Sequence, residues 1–288
     1  MLRLSIAGLV IGLEADADGP PTHIDGAARA FVVSRGTPDI EVRAGWGDLK
    51  SLPRGRLLFD SGGVWQLHEH DGQFVYSFTS PLFEGGPYRR ASFDTAFRRG
   101  VVTLDRASFH GRPPASPLEY PLDELMVINR LVYDGGVEVH GCGVIDASGA
   151  GYLFAGQSGA GKSTIAQLWA DAGATVVSDD RVVLRTEHDG ITMYGTPWHG
   201  DGEFAEPVSA RLSRILLLRH ASHNRVAPLA PAGAAALLFS CTFPVFHSAE
   251  ALERTLALLG RIVETVPVDV LEFAPTPDIT GFVRTQIL

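Results

Sequence analysis

The segment that most constrains this chain is residues 156–163, which satisfies the pattern GxxxxGK[S/T]. An apolar stretch at residues 152–155 precedes it, and residues 163–172 follow it with apolar side chains at helical spacing. Glycines let backbone amides turn inward around an anion, and the start of a helix adds unpaired donors and a positive dipole end. A strand, this loop and a helix, in that order, predict a polyphosphate site.

The loop also predicts the roles of individual side chains. Lys162 is expected to reach the terminal phosphates as a point charge, and Ser163 to ligate Mg²⁺ through its hydroxyl. We therefore expect ATP and Mg²⁺ as cofactors; the alternative is a glycine-rich turn that only caps a helix. The expected nucleotide-binding residues are Gly156, Gln157, Ser158, Gly159, Ala160, Gly161, Lys162, Ser163 and Thr164.

A pair of carboxylates, Asp179 and Asp180, follows the short β-type stretch at residues 175–177. Open α/β sheets place ligands at the carboxyl ends of their strands, so we expect the pair to face the phosphates. Adjacent residues in extended chain point opposite ways, so one carboxylate would serve the metal and the other the attacking hydroxyl. The sequence does not decide which. The alternatives are a Walker B pair in a hydrolytic ATPase, or a surface turn.

The rest of the chain predicts two domains, because 288 residues is about twice the usual domain size. Residues 1–118 show short alternating runs broken by turn residues, including a hairpin around Asp71-Gly72, which predicts a mainly antiparallel β domain. Four prolines within residues 113–121 mark a linker, and we place the boundary between residues 118 and 119. Residues 119–288 open with a helix at 121–133 and continue with a mixture of strands and helices, which predicts an α/β domain.

Charge and cysteine usage exclude several classes of function. A formal net charge of -9 disfavours wholesale binding to nucleic acid or to an anionic membrane, since both need clustered Lys and Arg. Cys142 and Cys241 fit neither a disulfide framework nor a zinc spacing. No run is long enough to span a bilayer, and the N-terminal residues lack a basic segment and a cleavage site. We expect a cytoplasmic protein.

Three features in order carry a family resemblance: Val139-His140-Gly141, the loop at residues 156–163, and residues 173–180, which end in Asp179 and Asp180. Together they resemble the C-terminal kinase domain of bacterial HPr kinase/phosphorylase, over about residues 137–184. That family is a group of P-loop kinases whose fold is shared with phosphoenolpyruvate carboxykinase. The resemblance implies an α/β P-loop kinase domain of this type behind the N-terminal β domain.

The resemblance implies roles as well. His140 would lie close to the transferring phosphate, Asp179 would be the base that polarises a serine-type hydroxyl, and Asp180 would help with the metal or the acceptor. Without the resemblance, a histidine on an alternating strand is more typical of a core or surface position. Because HPr kinases assemble through their kinase domains, a homo-oligomer is also implied.

The departures from the family concern the acceptor. Thr164 stands where HPr kinases carry Glu, and the ArgGlyLeuGly stretch that follows their carboxylates is absent. Residues 196–200 stand in its place. Together with the helix at 121–133, they resemble HPr-kinase-like proteins of peptide-modification settings such as lasso-peptide pathways. The second-rank candidates for contacts with the acceptor, in this glycine-flanked loop, are His199, Asp201 and Glu203. The alternative is a solvated acidic loop.

Two classes of function follow from these observations. The first is an ATP- and Mg²⁺-dependent kinase that phosphorylates a hydroxyl on a peptide, protein or small molecule. The second is a non-catalytic ATP-binding module whose N-terminal domain recruits a partner, and a third possibility is a hydrolytic P-loop ATPase. Presence of both Lys162-Ser163 and Asp179-Asp180 favours the kinase over the module.

Overall fold

The computed structural model describes residues 1–53, 55–83 and 86–287, and it divides the chain into two compact units. The first unit contains Met1–Ser5 and Leu9–Arg130, and the second contains Ile6–Gly8 and the chain from Leu131 onward. The expected boundary, between residues 118 and 119, falls earlier in the chain than this division.

Side-chain contacts explain where the first unit ends. Helix α1 (Leu122–Leu131) was expected to open the second domain, but Asn129 on this helix donates a hydrogen bond to the Tyr76 hydroxyl at 3.0 Å. The guanidinium of Arg89, which is fully buried, donates to the carbonyl of Glu119 at 2.8 Å. The proline-rich segment and most of α1 therefore belong to the first unit, which the proline spacing alone did not reveal.

The first unit is built on one eight-stranded sheet. Its strands are β1 (Leu2–Ile6), β2 (Leu9–Ala15), β3 (Ile40–Gly47), β4 (Arg56–Asp60), β5 (Trp65–His70), β6 (Gln73–Phe78), β7 (Arg89–Phe93) and β8 (Arg99–Asp105), with a short 3-10 helix at Gly26–Phe31. The spatial order is β1-β2-β3-β8-β7-β6-β5-β4.

The pairing in this sheet is mixed. From β8 to β4 every neighbouring pair is antiparallel, and the predicted hairpin is confirmed as β5 and β6 joined at Asp71-Gly72, where φ is 50° and 72°. Strand β3, however, pairs in parallel with both β2 and β8. Parallel neighbours require long connections, so local turn signals could not reveal them.

The second unit combines strands and helices, and a run of consecutive strands separates its first two α-helices. Its strands are β9 (Gly136–Ile145), β10 (Gly151–Ala155), β11 (Thr175–Ser178), β12 (Arg181–Glu187), β13 (Gly190–Gly195), β14 (Ser209–His220), β15 (Arg225–Pro228) and β16 (Val268–Phe273). Its helices are α2 (Lys162–Asp171), α3 (Pro231–Phe239), α4 (Ala249–Thr265) and α5 (Asp278–Ile287), with a 3-10 turn at Val132–Asp134. The sheet order is β10-β9-β12-β13-β14-β16-β15, β11 pairs with β9, and β10 also pairs with β14.

Strand β9 pairs with the two strands that lead into the candidate site. Both β10 and β11 run antiparallel to β9, so they run in the same direction and end at the same end of it. Strand β10 ends with Ala155 opposite Gly141, and β11 ends with Ser178 opposite Gly143. The segments that follow these two strands therefore leave the sheet near His140.

Packing on both faces of β10 fixes the direction in which the chain enters the loop. Tyr152 and Phe154 pack with Trp169 of α2 on one face, and the Tyr152 and Trp169 ring centroids lie 5.9 Å apart. Leu153 and Ala155 pack into the other cluster of buried side chains, with α3 and α4. A strand buried on both faces needs a continuous apolar run, which is what residues 152–155 supply.

The predicted helix at residues 163–172 is confirmed as α2. Among the described residues, no helix combines the length and the apolar character that crossing a membrane requires.

Candidate active site

The loop between β10 and α2, residues 156–161, is called the phosphate loop below. Its conformation requires glycine at several positions. Gly159 and Gly161 have φ of 79° and 98°, a region that residues with a Cβ atom rarely adopt. A Cβ atom on Gly156 would lie 2.7 Å from that of Ala160. The Ala160 N–H donates to the Gln157 carbonyl at 3.1 Å and closes a tight turn inside the loop.

The first turn of α2 presents unpaired amides. Gly161 is its N-cap and has no side chain, so no side chain caps the helix. Ile165 N–H donates to the Gly161 carbonyl at 3.0 Å, and the amides of the three residues before Ile165 precede this first helical bond. Ser163 and Thr164 are exposed there. Free amides and the positive dipole end of the helix suit an anion.

Lys162 folds back over the loop. Its Nζ donates to the carbonyls of Gly156 at 3.0 Å and Gln157 at 3.1 Å, and the residue is only 7% exposed. Burial lowers the pKa of Lys162, and the negative charge of Asp180 opposes that shift. The ammonium therefore lies inside the loop and close enough to Asp180 to interact with it.

The carboxylate of Asp180 is half-buried and has two partners. His140 Nε2 donates to Asp180 Oδ1 at 2.8 Å, and the Arg181 guanidinium contacts the other oxygen. Burial acts to raise the pKa of Asp180, but the hydrogen bond from His140 and the charges of Arg181 and Lys162 outweigh it and hold the pKa below its usual value. Asp180 is thus an ionised carboxylate in a cationic setting.

Arg181 is a site residue that the sequence analysis missed. Its guanidinium carbon lies 4.1 Å from the centre of the Phe243 ring, and its Nε lies 3.4 Å from Oε1 of the buried Glu138. Arg181 stands opposite His140 in the pairing of β12 with β9. Its position directly after the carboxylate pair was the only available signal, and the partners that hold it are distant in sequence.

Asp179 has a different environment from its neighbour. It is 1% exposed, and both oxygens accept backbone hydrogen bonds, from Gly200 N–H at 2.9 Å and Gly202 N–H at 2.7 Å. The resemblance implied that Asp179 is the base. The geometry does not favour that role, because both oxygens of the side chain are engaged in holding a loop.

The loop that Asp179 holds carries the second-rank candidates. His199, Asp201 and Glu203 are all exposed, and His199 Nδ1 lies 2.9 Å from the Gly200 carbonyl. Glu203 has a φ of 56° and donates its N–H to the same carbonyl at 3.2 Å. Through Asp179 this loop is fixed beside Asp180, with its three polar side chains directed to solvent.

The residues present fit a magnesium ion bound with phosphates. Mg²⁺ prefers oxygen ligands and is commonly held by one or two protein side chains together with substrate phosphates and water. Ser163 supplies a hydroxyl of that kind, and Asp180 supplies a carboxylate that can serve either the metal or an acceptor. Among the residues that the structure describes, no cluster of three or more His, Cys, Asp or Glu side chains forms a metal site independent of a ligand.

Comparisons with known proteins give no family. No protein-family model matches this chain, and no curated protein matches it either. What the chain does must therefore be inferred from the residues of the loop and of the carboxylate pair.

Proposed function

We propose that this chain is an ATP- and Mg²⁺-dependent kinase that transfers the γ-phosphoryl group to a hydroxyl of a peptide, protein or small-molecule acceptor. One observation carries the proposal: the lysine of the phosphate loop and a partly exposed, ionised carboxylate lie together. The Gly141 N–H donates to the Asp180 carbonyl at 3.0 Å, and Gly141 pairs with Ala155, the residue directly before the loop. Lys162 and Asp180 each alter the pKa of the other. A phosphate loop alone serves many functions, but a carboxylate at its lysine is what an incoming hydroxyl requires.

The loop binds and orients the nucleotide. The amides at the start of α2 hold phosphate oxygens. The Lys162 ammonium gives up its hydrogen bonds to the carbonyls of Gly156 and Gln157 and binds the phosphates instead. Mg²⁺, when bound through Ser163 and the phosphates, neutralises charge on the transferring group. Because the lysine already lies inside the loop, it moves only a short way to reach its ligand.

Asp180 acts as the base that takes the proton of the acceptor hydroxyl. The acceptor O–H donates its proton to the carboxylate, its oxygen bonds to the γ-phosphorus, and the bond from that phosphorus to the bridging oxygen breaks, which releases ADP. A low carboxylate pKa is compatible with this step, because positioning matters more than base strength when the transition state is loose. His140 orients the carboxylate and Arg181 keeps it ionised.

The division between the two carboxylates follows from their contacts. Asp180 is 27% exposed in its side chain, whereas both oxygens of Asp179 bind the amides of Gly200 and Gly202. We assign the role of base to Asp180. Asp179 instead holds the loop that carries Gly200 and Gly202 in position. The polar loop with His199 and its neighbours would then contact the acceptor. The resemblance to HPr-kinase-like proteins supports a serine-type hydroxyl.

Incubation with Mg²⁺ and γ-labelled ATP, across serine peptides, proteins and hydroxylated small molecules, tests the proposal. We expect label in an acceptor, lost in Lys162→Ala and in Asp180→Asn. The matched control is Asp189→Asn, at an exposed turn between β12 and β13. Label released only as inorganic phosphate would identify a hydrolytic ATPase instead. Nucleotide binding without turnover would identify a regulatory module, and failure to bind Mg-ATP would overturn the proposal.

A further inference from the structure

His220 lies beside the phosphate loop, although no motif marks it. It is the last residue of β14, which runs parallel to β10 with Leu217 opposite Ala155. Both strands therefore end at the same edge of the sheet. Since His220 lies three residues beyond the one that pairs with the end of β10, its side chain stands next to the loop that follows β10.

The imidazole contacts the loop directly. His220 Nε2 lies 3.1 Å from the Gly159 carbonyl oxygen, and a carbonyl can only accept, so Nε2 carries the hydrogen. The ring stacks on Phe273, with centroids 5.2 Å apart and an angle of 29° between the planes. Phe273 is fully buried and pairs with His220 in the register of β14 and β16. The buried Phe273 ring thus supports one face of the imidazole, although His220 itself is exposed.

The hydrogen bond acts on a single peptide unit. Gly159, with a φ of 79°, is a point where the loop can change conformation at little steric cost. The peptide between Gly159 and Ala160 is planar, so its C=O and N–H point in opposite directions. His220 binds the C=O, and the N–H donates to the Gln157 carbonyl at 3.1 Å. The peptide plane is therefore held from both sides.

A second feature of the loop points to the same pair of rings. A Cβ atom on Gly161 would lie 2.6 Å from Phe273 Cζ and 3.1 Å from His220 Cε1. The N-cap of α2 is thus packed against this pair so closely that only glycine fits. The rings touch the loop at two positions, and both positions precede the amides that would hold phosphate.

We propose that His220 is a positioning residue that keeps the phosphate loop in its binding conformation. The inference rests on the proposed nucleotide site. When Lys162 turns to the phosphates, the carbonyls of Gly156 and Gln157 lose their hydrogen bonds to its ammonium. The bond from His220 to Gly159 involves neither carbonyl, so it persists and restrains the loop after the lysine has moved.

Calorimetric titration of the full chain with Mg-ATP tests this role, using wild type, His220→Ala, His220→Gln and, as matched control, His223→Ala, a nearby exposed histidine. We expect His220→Ala to raise the dissociation constant about threefold to tenfold, as the loss of one hydrogen bond implies. His220→Gln should restore it to within about twofold, because its amide also donates. The KM for ATP should change more than kcat.

Equal affinity of wild type and His220→Ala would overturn the inference while leaving the nucleotide site intact. No binding by wild type would overturn both. If His220→Ala does not fold, nitrogen NMR of the imidazole in the wild-type protein tests the proposal instead. We expect hydrogen on Nε2, and a neutral ring with its hydrogen on Nδ1 would contradict the proposal.

Discussion

His140 Nε2 donates a hydrogen bond to Asp180 Oδ1 across 2.8 Å, which joins β9 to the turn between β11 and β12. The Arg181 guanidinium contacts the other oxygen of the same carboxylate. The carboxylate is thereby oriented from both sides and kept ionised next to Lys162. This arrangement, together with the phosphate loop, supports the proposed transfer of a phosphoryl group.

Substitution of Asp180 by Asn should reduce phosphoryl transfer by about 100-fold or more, because the amide cannot accept the proton of the acceptor. The affinity for Mg-ATP, measured by titration, should change by less than about threefold, since the amides of the loop and Lys162 are unaltered. His140→Gln should keep more activity than His140→Ala, because a glutamine amide can still donate to the carboxylate. Full transfer by Asp180→Asn would remove this residue from the chemistry.

Substitution of Asp179 by Asn should instead destabilise the fold. An amide NH₂ would face the N–H of Gly200 or Gly202 and leave a buried donor without an acceptor, at a cost of about 1–3 kcal/mol. Urea denaturation gives the change in the free energy of unfolding. Asp189→Asn, at an exposed site, should cost less than about 0.5 kcal/mol. Undiminished stability with lost transfer would restore Asp179 as the base.

The stability that Asp180 contributes should depend on pH in a defined direction. Its pKa is lowered from 3.8, so its contribution is complete above that pH and is lost as pH falls through the lower value of the folded state. The difference in free energy of unfolding between wild type and Asp180→Asn should therefore narrow below about pH 4. A difference that widens there would contradict the assignment.

Gly161→Ala should be more damaging than Gly173→Ala. Both glycines have positive φ, of 98° and 80°, so an alanine costs about 1–2 kcal/mol of backbone strain at either site. At Gly161 the new Cβ atom would also lie 2.6 Å from Phe273, whereas nothing lies within 4 Å of it at Gly173. Thermal unfolding and Mg-ATP titration of the two variants separate the effect of backbone strain from the effect of steric overlap with Phe273. Equal effects would mean that Phe273 moves aside freely.

Selective acetylation should report on Lys162, because the chain has only one other lysine, Lys50. Burial lowers the pKa of Lys162 from 10.5, so its labelling rate should level off below that pH. Mg-ATP should slow the labelling of Lys162 at least about tenfold by occupying its ammonium. Lys50 is exposed and serves as the internal control in peptide mass spectrometry. A labelling rate of Lys162 that does not change when Mg-ATP is added would contradict nucleotide binding at this loop.

Local patterns in the sequence were enough for the strand, loop and helix at residues 152–172, because apolar periodicity and glycine positions act over a few neighbouring residues. The same holds for the hairpin at Asp71-Gly72. The candidate residues Lys162, Asp180 and His140 were also named from the sequence, and β9 brings them to one edge of the sheet. Those predictions depended on short-range chemistry.

Tertiary structure alone separated the two adjacent aspartates, because the amides that engage Asp179 come from Gly200 and Gly202, far along the chain. It also assigned most of α1 to the first unit, brought Arg181 to Asp180 and brought His220 to the loop between β10 and α2. These outcomes depend on which strands pair and in what register. Outside hairpins such as the one at Asp71-Gly72, strand pairing joins residues that are remote in sequence, and local turn signals do not specify it.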